Sequence, residues 1–109
     1  MSTDAIHVRL VIVAILTPRR GALEQFRAYE AKAAGIMARY EGRIQRTVVV
    51  NEQPPMREVH IVSFPDLDAF QRYRTDPDLA ALAEVRAACI EHTELLLGRE
   101  GPDYMALPG

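Results

Sequence analysis

The stretch IHVRLVIVAILT, residues 6–17, constrains the fold most, because its inner part from Leu10 to Leu16 is apolar at both odd and even positions. A run of β-branched and aliphatic residues stopped by Thr17-Pro18 and Gly21 reads as a strand. A strand apolar on both sides belongs to a sheet whose two faces are both covered. The run is far short of the ~20 residues a membrane-spanning helix needs. Asp4, Arg9, Arg19 and Arg20 also deny it the charge pattern of a secretory signal.

The rest of the chain supplies one cover. From Ala22 to Glu41 the period becomes helical, with Leu23, Phe26, Ala33, Met37 and Tyr40 on one stripe and Tyr29 and Ile36 on its flank. Gly42 is expected to end that helix. RIQRTVVV, residues 43–50, and REVHIVSF, residues 57–64, read as two strands of an antiparallel hairpin. Asp66 caps a short helix through Leu67, Phe70 and Tyr73, and Asp76-Pro77 starts another through Leu79, Leu82, Ala83 and Val85, with a bend at Thr75. Ile90 to Leu97 is a last strand before Gly98.

The order βαββαβ is the ferredoxin-like one, an α+β fold with a four-stranded antiparallel sheet and helices on one face only. The second face stays apolar, which marks it as an interface. The expected particle is therefore a homodimer built from a single domain over residues 1–98, followed by a tail over 99–109. That tail, carrying Tyr104, Met105 and Leu107, lies either across the partner subunit or free.

Composition closes off several function classes. Thirteen basic and fifteen acidic side chains leave a formal charge of -2, so nothing attracts nucleic acid or an anionic membrane. A lone cysteine, Cys89, excludes an internal disulfide and fits a reducing cytoplasm; flanked by Ala88 and Ile90, it reads as a small core residue. No glycine-rich nucleotide loop, HExxH, CxxC or GxSxG spacing is present, so neither a cofactor nor a metal is expected. The three histidines do not converge: His92 starts the last strand, which runs antiparallel beside the first, placing it roughly 25–30 Å from His7. His7 is expected on a strand parallel to that of His60 and near its solvent end.

The segment SFPDLDAFQRYRTDPDLAALAEVRAACIEHTELLLG, Ser63 to Gly98, resembles the second half of proteins of the dimeric α+β barrel superfamily. The likeness is to its small uncharacterised bacterial families and, more distantly, to its antibiotic-biosynthesis monooxygenase-like branch. It extends loosely through Phe26 to Tyr40 and Glu41-Gly42-Arg43. The resemblance implies two sheets facing each other as a barrel with the helices outside. It also implies a functional range of cofactor-free oxygenases, isomerases, haem-handling enzymes and proteins of unknown role. The monooxygenase branch often uses an aromatic, asparagine, arginine and histidine set, and this chain contains no tryptophan.

Charged side chains on apolar stripes carry the site expectations. His60 shares parity with Val62 and Phe64 and faces an enclosed space, either as a general base or as a core imidazole with satisfied hydrogen bonds. Arg86 follows Leu79 by seven and Leu82 by four, either to hold a substrate carboxylate or enolate or to snorkel past the helix edge. Glu30 follows Leu23 by seven and Phe26 by four, either to move a proton or to pair with Arg27 on the surface. Tyr29, Tyr73 and Phe26 are the expected pocket walls, with ordinary core packing as the alternative.

Three functional readings compete. The first is an enzyme in which Arg86, His60 and Glu30 act on a small organic acid or polyketide-like molecule by proton transfer or cofactor-free oxygenation. The second is a non-catalytic small-molecule binder, and the third a structural dimer module. A ligand-sized cavity above ~300 Å³ separates the first two from the third.

Overall fold

The computed structural model describes residues 9–51 and 53–106. Four strands, β1 (Leu10–Pro18), β2 (Arg43–Val50), β3 (Arg57–Phe64) and β4 (Ile90–Gly98), form one antiparallel sheet in the order β2-β3-β1-β4. The connections are a helix α1 (Leu23–Met37) with a 3₁₀ turn Ala38–Tyr40, and three short helices, α2 (Leu67–Arg74), α3 (Pro77–Ala80) and α4 (Ala83–Cys89). This is the ferredoxin-like α+β fold that the element order implied. β1 is central, as its apolar composition requires.

Register decides which residues share a face. Ala14 lies opposite His60 and Leu95, and Leu16 opposite Glu58 and Thr93. These residues, with Ile12, Val62 and Phe64, face the helices. Val13 lies opposite Ile61 and Leu96, and Ile15 opposite Val59. Those residues form the other, helix-free face, where Leu96 is 51% exposed. Because β1 and β3 pair antiparallel, the expected parallel relation between the His7 and His60 strands is corrected; His7 itself lies outside the described residues.

Local chemistry sets the helix ends. Asp66 accepts a hydrogen bond from the Ala69 amide at 2.8 Å, capping α2. Asp76 accepts from the Asp78 and Leu79 amides, capping α3 ahead of Pro77. The single helix expected after Asp76 is instead two, separated at Ala81 and Leu82 by a turn in which the Leu82 amide bonds the Leu79 carbonyl. On α1 the buried stripe is Phe26, Tyr29, Ala33, Ile36 and Met37, rotated from the expected one: Tyr29 and Ile36 are inside while Leu23 is 38% exposed. The end of α1 also differs. Glu41, with φ 59°, takes the left-handed position, whereas Gly42 serves close approach, because a Cβ there would collide with the Phe64 ring and Met37.

Two core clusters result. One gathers Leu16, Phe26, Tyr29, Cys89 and Ile90; the other gathers Ile12, Met37, Val62, Phe64 and Phe70. The Phe64 ring anchors the second, 5.4 Å from Phe70 and 5.5 Å from Tyr73 between centroids.

Candidate functional site

A cavity of about 480 Å³ opens between the helix layer and the sheet. Its origin is compositional: Ala14, Ala33, Ala80 and Ala83 line it, small side chains at points where sheet and helices face each other. Its walls divide chemically. Met37, Ile44, Val62, Phe64 and Phe70 make an apolar portion, whereas Tyr29, Glu30, His60, Arg86 and Thr93 bring polar groups to the same space.

Of the residues singled out from sequence, Glu30, His60, Arg86, Tyr29 and Tyr73 all line this one cavity. Phe26 does not. It is fully buried, 0% exposed, in the cluster with Leu16 and Tyr29. It sits one turn before Glu30 on α1 and closes the core below the cavity rather than walling it.

The polar groups form a row. His60 projects from the middle of β3 with its Nε2 2.8 Å from Glu58 Oε1 and its Nδ1 3.6 Å from Glu30 Oε1. Imidazole and carboxylates are shielded, their side chains 4%, 7% and 16% exposed for His60, Glu58 and Glu30. Arg27 approaches the far oxygen of Glu58, Oε2, at 3.5 Å from the surface. The surface pair expected between Glu30 and Arg27 is therefore replaced by one between Glu58 and Arg27, leaving Glu30 turned inward. Arg86 donates to Thr93 Oγ1 at 2.6 Å across to β4, so it reaches toward the sheet.

Burial pushes the Glu30 carboxyl up from its ordinary range, with Glu58 adding to the rise and His60 and Arg86 opposing it. Burial likewise raises the phenols of Tyr29 and Tyr73, which remain protonated donors at neutral pH. The Cys89 thiol is raised by burial too, so this core cysteine has no thiolate character.

A carboxyl whose folded value is raised favours folding below the ordinary carboxylate range. That contribution is lost as pH rises through the folded value. Replacing Glu30 by Gln removes the loss, so Glu30→Gln is expected to melt higher than the parent at pH 8, with the gap closing by about pH 4. Thermal unfolding at both pH values checks this; an equal gap at both would show that Glu30 is not held against ionisation.

Glu58 and Thr93 are the members sequence reading missed. Glu58 shares the parity of His60 two residues on, a signal legible in REVHIVSF. Thr93 needed the β1–β4 register. His92 lies opposite Thr17 on the helix-free side, away from His60. Among the described residues no group of three His, Cys, Asp or Glu side chains is disposed to hold a metal ion, and no helix is long and apolar enough to cross a membrane.

A family model described as Domain of unknown function (DUF1330) matches residues 12–98. No curated protein matches. Among solved structures, the chain is similar to SnoaB, a cofactor-independent oxygenase from Streptomyces nogalater, at 24% identity and a TM-score of 0.70, covering 89% of this chain and 97% of that one. A protein of unknown function from Rhodopseudomonas palustris gives a TM-score of 0.75 at 15% identity, covering 94% of this chain and 96% of that one. A nipsnap family protein of unknown function from Agrobacterium tumefaciens gives 0.67 at 19%, covering 87% and 90%. At these identities the likeness is one of fold, and it agrees with the superfamily that Ser63 to Gly98 resembles.

Proposed function

The chain belongs to the family described as Domain of unknown function (DUF1330), and we propose that it is an acid–base enzyme acting on a small, largely apolar molecule that bears an anionic or enolisable oxygen. The observation that carries this reading is the Glu58–His60–Glu30 row, of which His60 and Glu30 enter the same cavity as Arg86. Deprotonating carbon next to a carbonyl needs a base within reach and a cation for the enolate oxygen. Glu30, backed by His60, is the base, and Arg86 holds the developing negative charge. Tyr29 and Tyr73 donate hydrogen bonds or close the wall. The volume of about 480 Å³ suits a ligand of one or two rings.

The expected substrates are aryl or acyl organic acids and polyketide-like phenols. Cofactor-free oxygenation is a variant of the same first step: the carbanion passes electrons to dioxygen, so that a methylene and O₂ become a carbonyl and water. Its support is the resemblance to the monooxygenase-like branch, and consumption of O₂ with a bound substrate would separate it from simple proton transfer. Recovery of every bound compound unchanged would favour the binding reading.

The working particle is a cytoplasmic homodimer in which the helix-free face of one protomer covers that of its partner. Val13, Ile15, Val59, Ile61 and Leu96 lie together there, and burying such a patch is favourable at about 25 cal/mol per Å². The domain over residues 1–98 carries the fold, and the tail follows it.

Arg86→Met keeps an unbranched apolar stem and removes the charged guanidinium. It is expected to weaken binding of an aryl keto acid such as phenylpyruvate about 10- to 100-fold, in line with ~1.5–3 kcal/mol for a charged hydrogen bond. Native mass spectrometry reads both this loss and the dimer mass. Equal affinity in Arg86→Met, or a monomer that binds nothing, would exclude the proposal.

A further inference from the structure

His60 has two partners of the same chemical type, and among the described residues only one of them has a counter-charge of its own. Glu58 Oε1 lies 2.8 Å from Nε2, while its Oε2 faces the Arg27 guanidinium at 3.5 Å. Glu30 Oε1 lies farther off, 3.6 Å from Nδ1, lines the cavity, and has no ion pair other than His60 among the described residues. The groups facing the imidazole are thus Glu58 on its own strand and Glu30 on α1, with Arg27 behind Glu58 and Arg86 across the cavity. An imidazole held by a paired carboxylate donates its N–H to that carboxylate, which settles where the other lone pair points.

We propose that Glu58 is a positioning residue that fixes His60 with its proton on Nε2, leaving Nδ1 free to take a proton from Glu30 and return it. The inference rests on the acid–base reading above. The step balances without a co-reactant. A substrate C–H bond breaks as the Glu30 O–H bond forms, and the electron pair stays on the substrate as an enolate facing Arg86. The proton then moves from Glu30 to Nδ1, giving an imidazolium flanked by two carboxylates, and returns by the same path to the substrate carbon. The arrangement follows the logic by which a buried carboxylate sets the tautomer of a catalytic histidine elsewhere.

Nitrogen-15 NMR of histidine-labelled, ligand-free protein tests this without a substrate, with the His60 signals assigned by their disappearance in His60→Gln. The parent is expected to show His60 protonated on Nε2 at neutral pH. Glu58→Gln, whose amide can donate as well as accept, should release that preference, whereas Glu30→Gln should keep it. In the deuterium exchange of phenylpyruvate, Glu58→Gln should be slowed at least about tenfold with its pH profile displaced, because the wrong tautomer blocks transfer. A parent His60 protonated on Nδ1 would overturn the inference, even if Glu58→Gln failed to fold. So would a Glu58→Gln protein with an unchanged tautomer. The expected tautomer together with no exchange by the parent would instead refute the acid–base reading and leave the assignment of His60 standing.

Discussion

Gly42→Ala is expected to lose about 3 kcal/mol of stability, and Gly42→Val to fail to accumulate as folded protein. A Cβ at this position would enter the Phe64 ring and strike Met37. Neither neighbour can retreat. Phe64 is 0% exposed, packed on Phe70 and Tyr73, and Met37 closes the last turn of α1. In a domain of this size about 3 kcal/mol lowers the melting temperature by roughly 10 °C or more. The adjacent position is the control. Glu41 holds the left-handed conformation at φ 59°, so Glu41→Gly relieves backbone cost and should leave stability level or slightly higher. Urea unfolding of the two variants checks the contrast, and a Gly42→Ala midpoint equal to the parent would mean that the glycine is not there for space.

The second large effect concerns chemistry. His60→Gln and Glu30→Gln are each expected to lower turnover about 10²- to 10⁴-fold, the usual range for loss of a positioned acid–base group. Because both act on one proton, the double variant should be little worse than either single one. The Michaelis constant should stay near that of the parent, since Arg86 and the apolar wall do the holding. Initial rates of substrate isomerisation or exchange in all four proteins settle it. Multiplied losses in the double variant would mean that the two residues act on separate steps.

Particular residues show what a sequence of this kind reveals. Asp66 and Asp76 were legible as caps because capping is local, a short acidic side chain reaching amides two or three residues ahead. The apolar parity of Leu10 to Leu16 put β1 at the centre of a sheet, as the order β2-β3-β1-β4 has it. Gly42 was read as a helix stop because that is the commonest local use of glycine. Its demand for space comes from Phe64, 22 positions away, and no local pattern carries that. The same reason hid the break between α3 and α4, the register shift between Ile44 and Arg46 in β2, and the reach of Arg86 to Thr93.

The candidate site was legible where a charged group fell on an apolar stripe. Glu30 and Arg86 stand out by helical spacing and His60 by strand parity, and all three reach one cavity. Glu58 shares the strand parity of His60 but was not singled out beside it: its side chain is 7% exposed, held between His60 and Arg27. Phe26 went the other way, an aromatic taken as a wall that belongs wholly to the core.

The most direct measurement is deuterium incorporation into the benzylic carbon of phenylpyruvate incubated with the protein in heavy water, followed by mass spectrometry. Uptake well above the buffer rate, abolished in Glu30→Gln and in His60→Gln, is the expected result. Phenylpyruvate bound in the cavity yet exchanging no faster than in buffer would contradict the assignment of an acid–base site.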